Sequence, residues 1–441
     1  MCLLNLPLAR FSPFSLLRLT LTKIGVFALM TGLILLGSGA GPATAQATAG
    51  TVITVTDPSQ MAATLARGVS GAVLELGPGT YNRFVLREGE APAILRSTDP
   101  EDPAVLAGLR ISDFEDLLVE DLVFSYTYEP QHAISWRPFE FQRGNGLTLR
   151  NMEIVGDVAR DRDATSDGLG FAIGLSLRSV SNAIVTNTHI SLFYRGLVVG
   201  GGRDIHITDN ELVDLRMDGM NFSSVREVWI ENNLIHGFDR STDPRDHSDM
   251  IQFWTNGTET PSRDIFIRGN TLNSGDGNMT QTIFMRNDMV DRGLAGEEMF
   301  YRNITIEDNL ILNGHLHGIT VGETLGLSIR NNTVVQNPAA IGDDPSQTVR
   351  IPRINLSSAS RRVRVEGNIT SDIVGVPPGS SWQVDGNLFV QNQSLLQPNH
   401  YSRVFANYLQ GDLTQADTYR LRPDLSSELG LPPLGASGLR P

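Results

Sequence analysis

Residues 239–249 read Asp239-Arg240-Ser241-Thr242-Asp243-Pro244-Arg245-Asp246-His247-Ser248-Asp249, placing four aspartates, two arginines and a histidine in one short segment. Gln252 and Trp254 follow at once, and Asn221 and Arg286 occupy matching places in neighbouring segments. These residue types suit a sugar acid. A tryptophan ring covers the apolar face of a pyranose, amides bind its hydroxyls, and a guanidinium grips a carboxylate with two parallel hydrogen bonds. Histidine titrates near working pH and can move a proton. Trp254, Gln252, Asn221, Arg240 and Arg245 are therefore candidate substrate-binding residues. The bland alternative is a solvated proline turn whose aspartates cap backbone amides.

The rest of the composition narrows the chemistry. Cys2 is the only cysteine and Lys23 the only lysine, and both lie in a leader where Arg10, Arg18 and Lys23 precede the apolar run Ile24–Leu36 and the small residues Ala43-Thr44-Ala45. Residues 1–45 read as a signal peptide, which predicts a periplasmic or secreted protein without an integral span after cleavage. The mature chain then has no disulfide, thiol nucleophile or thiolate metal site, and all its fixed positive charge is arginine. Loss of the leader moves the formal charge from −14 to about −17, which argues against nucleic acid as a partner. His315 and His317 read as a turn pair, because zinc would need a cysteine or HExxH partner.

The elements that must position these groups are repeats. Asparagine recurs at Asn151, Asn187, Asn210, Asn233, Asn270, Asn309, Asn332, Asn368 and Asn387, and three of the intervals are 23 residues. Each follows a short run alternating apolar and polar, such as Ile205-His206-Ile207 or Ile265-Phe266-Ile267, which is a strand with one buried face. A solenoid with one asparagine per coil follows, its amides stacked in a ladder at a turn. Alignment on the asparagines points Leu197, Met220, Ile251, Ile283 and Ile319 inward and Val198, Asn221, Gln252, Phe284 and Thr320 outward. The inserts Phe238–Ser248 and Thr255–Arg263 flank the central coil, where solenoid loops carry function. Asp57 as cap, Pro58 and Gly68 predict a short helix over 58–67 that covers the N-terminal end. The expected organisation is a leader at 1–45, one solenoid domain at 46–394, and a C-terminal cover and tail at 395–441, in a monomer.

The ladder, the opening strand Ala72-Val73-Leu74-Glu75-Leu76-Gly77-Pro78-Gly79-Thr80-Tyr81 and the pair Ala93–Ser97 and Val105–Gly108 resemble the pectate-lyase-like right-handed parallel β-helices over roughly residues 50–400. The resemblance implies an all-β, single-domain right-handed parallel β-helix. That fold hosts lyases, hydrolases, epimerases, esterases, tailspikes and adhesins, so it does not fix a reaction. Asp243-Pro244-Arg245-Asp246-His247 is similar to the Asp-Pro-His-Asp/Glu motif of mannuronan epimerases, with Arg245 where that family has histidine. This partial match, together with the outward register that places Arg286 one coil from Trp254, implies His247, Asp243, Asp246 and Arg286 as catalytic residues for removal of the proton at carbon 5 of a uronate.

The expected activity is a uronate lyase or epimerase on an acidic polysaccharide. The alternatives are a glycoside hydrolase of the same fold, with Asp218, Asp246 and Asp249 as carboxylates, and a non-catalytic carbohydrate-binding or surface-structural solenoid. No cofactor is expected. Calcium is possible, through oxygens of Asp243, Asp246, Asp249 or Asp218.

Overall fold

The structure is a computed structural model that describes residues 50–241, 246–275, 280–341 and 350–440. The leader at 1–45, Asp243 and Arg245 lie outside the described residues. Among those described, no helix is long and apolar enough to cross a membrane.

Period-2 alternation becomes two stacks of parallel strands. An eleven-stranded sheet, here called the front sheet, runs from Phe84–Leu86 to Ile373–Val374, and a 23-stranded sheet takes the remaining strands. In the latter, Arg203–Thr208 pairs with Arg226–Glu231 while Glu211–Val213 pairs with Leu234–His236, so a turn splits it into two columns. Asn145–Val155 and Ser181–Ser191 run through that turn without a break. The expected inward residues Leu197, Met220, Ile251, Ile283 and Ile319 are in register and fully buried. Phe222 and Phe253 stack beside them with centroids 4.7 Å apart.

The N-terminal cap is as expected. Asp57 accepts a hydrogen bond from Ser59 N, a 3-10 turn Pro58–Gln60 leads into the helix Met61–Arg67, and Gly68 ends it at φ 90°. Met61 and Leu65 of this helix pack on the core of the solenoid, closing its first coil.

The asparagine ladder runs Asn210, Asn233, Asn270, Asn309, Asn332, Asn368, Asn387. The side-chain oxygen of each accepts from both the backbone N–H and the amide of the one before, at 2.9–3.1 Å. Asn151 and Asn187 do not belong to it. They sit one register position earlier, exposed and at φ 54° and 48°, in a column continued by Asp209, Asn232 and Asp308. Thr188 takes the ladder position in that coil and donates its N–H to Asn210. Two different needs, a left-handed backbone and a buried amide, select the same residue type at adjacent positions.

Residues 395–440 fold back along the flank of the solenoid. Tyr401, Phe405, Tyr419, Leu425 and Leu434 form a second apolar cluster with Leu310, Leu312, Val335 and Ile369.

Candidate functional site on the front sheet

The outward register of the front sheet is also as expected: Val198, Asn221, Gln252, Phe284 and Thr320 are aligned on successive strands. The column at the strand starts carries the charge. Arg195, Asp218 and Asp249 are aligned on three neighbouring strands, and both aspartates are fully buried. Asp218 Oδ2 lies 2.9 Å from Arg195 Nε and accepts from the Asn221 amide at 3.0 Å. Asp249 accepts from the Gln252 amide, and the Asn221 amide donates to Gln252 Oε1 at 2.8 Å. The expectation that Asn221 and Gln252 face a ligand is corrected here. Both are buried, because each is the partner that satisfies a buried carboxylate three residues upstream.

Burial, and then the neighbouring Asp218, pushes the Asp249 carboxyl well above the usual range. Burial also raises Asp218, against the opposing charges of Arg195 and His247 and the Asn221 hydrogen bond. Both carboxyls are therefore shifted towards the protonated form, Asp218 against the opposing charge of Arg195. Asp249 Oδ1 has no hydrogen-bond partner among the described residues.

Aromatic rings and arginines cover this core. The Arg195 guanidinium lies over both Tyr194 (5.4 Å) and Trp254 (5.3 Å), and the Arg216 guanidinium lies over Tyr194 (5.4 Å). Burial raises the Tyr194 phenol. The arginine at Trp254 is thus Arg195. Arg286, expected there, is drawn to Asp291 at 2.7 Å, beside the short helix Asp288–Asp291. Asp246 is likewise not placed as a free acid or base: it is buried and holds the buried Arg216 at 2.6 Å. His247 is exposed and close enough for its charge to act on Asp218. Arg240 donates to the Asp246 carbonyl, and its charge reaches both Asp249 and His315. Ser241 Oγ donates to the Thr165 carbonyl at 2.7 Å, so the inserts at 157–167 and 238–248 meet beside the site.

His315 lies in the turn before the strand His317–Val321, the two histidine rings are 5.2 Å apart, and His317 bonds Thr320 Oγ. Burial pulls His315 down to about 4, helped by His317 and Arg240, and burial lowers His317 as well. Among the described residues no three His, Cys, Asp or Glu side chains gather as a metal site.

The sequence reading missed an arginine field on earlier coils of the same sheet. Arg110 and Arg178 both reach the buried Glu140, at 2.5 and 3.3 Å, and Arg83 lies over Trp136 at 5.6 Å. Burial lowers Arg137, and Arg178, Arg195 and Arg110 add to that. Arg83, Arg110, Trp136, Arg137, Glu140 and Arg178 line a depression of about 240 Å³. Extending the coil alignment upstream to pair Arg110 with Glu140 would have found it.

A family model described as the right-handed beta helix region matches residues 173–394. The chain belongs to the right-handed β-helix family. Among curated proteins this β-helix is similar to α-1,3-galactosidase A of Bacteroides fragilis (strain YCH46), 26% identical over 174 residues. The match takes in 38% of this chain and 26% of that enzyme, so the chain spans about a quarter of that relative's length. Among solved structures, the β-helix is similar to the Dettilon tailspike protein (TM-score 0.49, 14% identity, 78% of this chain and 67% of that one). It is also similar to an alginate lyase from Paenibacillus sp. str. FPU-7 (0.45, 13%, 69% and 98%). A third likeness is to the A-module of the Azotobacter vinelandii mannuronan C-5 epimerase AlgE6 (0.44, 13%, 76% and 94%). At these identities the likeness is one of fold.

Proposed function

We propose that this β-helix is an exported enzyme acting on an acidic polysaccharide, as a uronate lyase or epimerase. The observation that carries the reading is Arg195, held by the buried Asp218 and laid over the rings of Tyr194 and Trp254. A uronate ring stacked on Trp254 would place its carboxylate at Arg195, and the arginine field around Glu140 would hold further carboxylates of the same chain. His247 or Tyr194 takes the proton from carbon 5, and the electron pair moves into the carboxylate as an aci-carboxylate that Arg195 stabilises. From there either the carbon 4–oxygen bond breaks, the departing oxygen taking a proton from the protonated base or from water and leaving a double bond between carbons 4 and 5, or a proton returns on the opposite face. Asp218 positions Arg195, and the buried Asp249 stands behind it on the next strand.

A hydrolytic reading is favoured by one observation, the aligned and buried carboxyls of Asp218 and Asp249 on adjacent strands. The partial likeness to a galactosidase points the same way. A panel of alginate, polygalacturonate and neutral glycans separates the readings. Ultraviolet-absorbing unsaturated uronates mark a lyase, and a changed epimer content without cleavage marks an epimerase. New reducing ends without unsaturation mark a hydrolase. Saturable binding with no product would overturn the enzymatic reading.

A further inference from the structure

A second groove, of about 700 Å³, runs along the corner where the front sheet turns into the next strands. Arg203, Arg226, Arg263 and Arg302 line it from matching positions on four successive coils, each paired in register with the next. Parallel strands lie ~4.8 Å apart, so the guanidinium groups stem from a ladder of that pitch. In a chain of net charge −14, such a row is a local exception. Among the described residues no carboxylate stands within ion-pair distance of Arg203 or Arg226, and Arg263 has only Asp264 at 4.0 Å. Arg302 donates to the Glu297 carbonyl at 3.4 Å. Glu298 is the one carboxylate that lines the groove.

The acidic column next door does not cancel the row. Asp204, Glu227 and Asp264 stand one residue on, in left-handed conformation, and do not line the groove. Asp204 turns to His206 at 3.1 Å, and Asp264 accepts from Asn303 at 2.7 Å. The floor is kept low by glycine and serine. A Cβ on Gly202 would stand 1.9 Å from the Val180 carbonyl oxygen, so nothing larger fits there.

We propose that this corner groove binds an extended anionic glycan lying along the solenoid axis, one acidic group to each arginine. The pitch of the coils is about the length of one sugar in an extended chain, and guanidinium groups match carboxylate or sulfate bidentately. A single-stranded nucleic acid would also meet the charge, but no aromatic side chain lines the groove to stack a base. The site is separate from the front-sheet site and does not depend on catalysis there, since its arginines stand at the starts of the next strands.

The test uses the mature protein and alginate oligomers, with neutral dextran and oligothymidylate as controls, by titration calorimetry at low salt. Trp254→Ala weakens front-sheet binding, so that the corner groove supplies more of the signal. In that background Arg203→Gln/Arg226→Gln is expected to weaken alginate binding at least tenfold and to flatten its salt dependence. The lysine pair Arg203→Lys/Arg226→Lys should retain most of it. Turnover of short fragments by a protein carrying the glutamine pair alone should stay at the wild-type level. In the unmutated protein, alginate should shield Arg203 and Arg226 from phenylglyoxal, read by mass spectrometry, which keeps the test valid if the double variant misfolds. Unchanged binding in the glutamine pair, no shielding, or equal affinity for dextran or oligothymidylate would overturn the proposal.

Discussion

Arg195 and Asp218 occupy the same register position on adjacent strands, with Arg195 Nε 2.9 Å from a carboxylate oxygen that water does not reach. The pair fixes where the cation over Trp254 stands. Removing one partner of such a buried pair leaves the other uncompensated, which costs about 3–5 kcal/mol. Asp218→Ala should lose that much in urea denaturation. A loss below ~1 kcal/mol would mean that Arg195 swings out to water and is not positioned by the aspartate.

Turnover separates the roles of the rings and charges. Trp254→Ala should raise KM with little change in kcat, because the ring binds ground state and transition state alike. Arg195→Ala and His247→Ala should each lower kcat by more than ~100-fold while thermal unfolding stays cooperative. Arg286→Ala, which breaks the link to Asp291, should leave kcat within a few-fold of wild type. An inactive Arg286→Ala with normal folding would return the catalytic cation to that position.

Stability should fall on the acid side because of His315. Its folded pKa, about 4, lies below the ordinary histidine value of 6.5, so the unfolded chain takes up the proton first. The contribution is fully present above about 6.5 and is lost as pH falls towards 4. His315→Gln should flatten the unfolding free energy across that window. Asp249 works in the opposite sense: its raised folded pKa contributes stability below the unfolded value that is lost as pH rises through the folded one. Asp249→Asn should gain on the wild type as pH rises. An unchanged pH profile in either variant would contradict the burial of that group.

Asn233→Ala should cost ~1–3 kcal/mol, because it leaves the Asn210 amide and backbone N–H short of a buried acceptor. Asn256→Ala, which breaks one exposed contact with Arg292, should cost far less. Equal losses in parallel urea titrations would show that the ladder is not an internal support.

The solenoid and the strand register could be read from the sequence because period-2 alternation and coil length are local properties. That is why the inward positions of Met220 and Ile251 came out correctly. The partners of Asn221 and Gln252 could not be read, because whether an outward amide meets water or a carboxylate depends on what the inserts bury above it. Asp246 looked available for the same reason, since Arg216, thirty residues away, shows no local sign of being its partner. Arg195 was passed over because it lies outside the charged segment, and only strand stacking brings it beside Asp218. Asn151 and Asn187 misled by identity, as one residue type serves two adjacent columns.

The C-terminal flank bears on how the molecule is made. Ser437 N donates to Asp308 and Ala436 N to the Thr333 hydroxyl, across 129 and 103 residues of sequence. Coils that touch only their neighbours can be laid down in order as the chain leaves the ribosome. The flank can close only once Ala436 and Ser437 have been made, so its contacts form after those of the coils it covers. Interactions that form after the folding barrier act mainly by slowing escape from the finished state. The tail would then serve as a latch that sets the lifetime of the folded protein, with little influence on how fast its coils assemble.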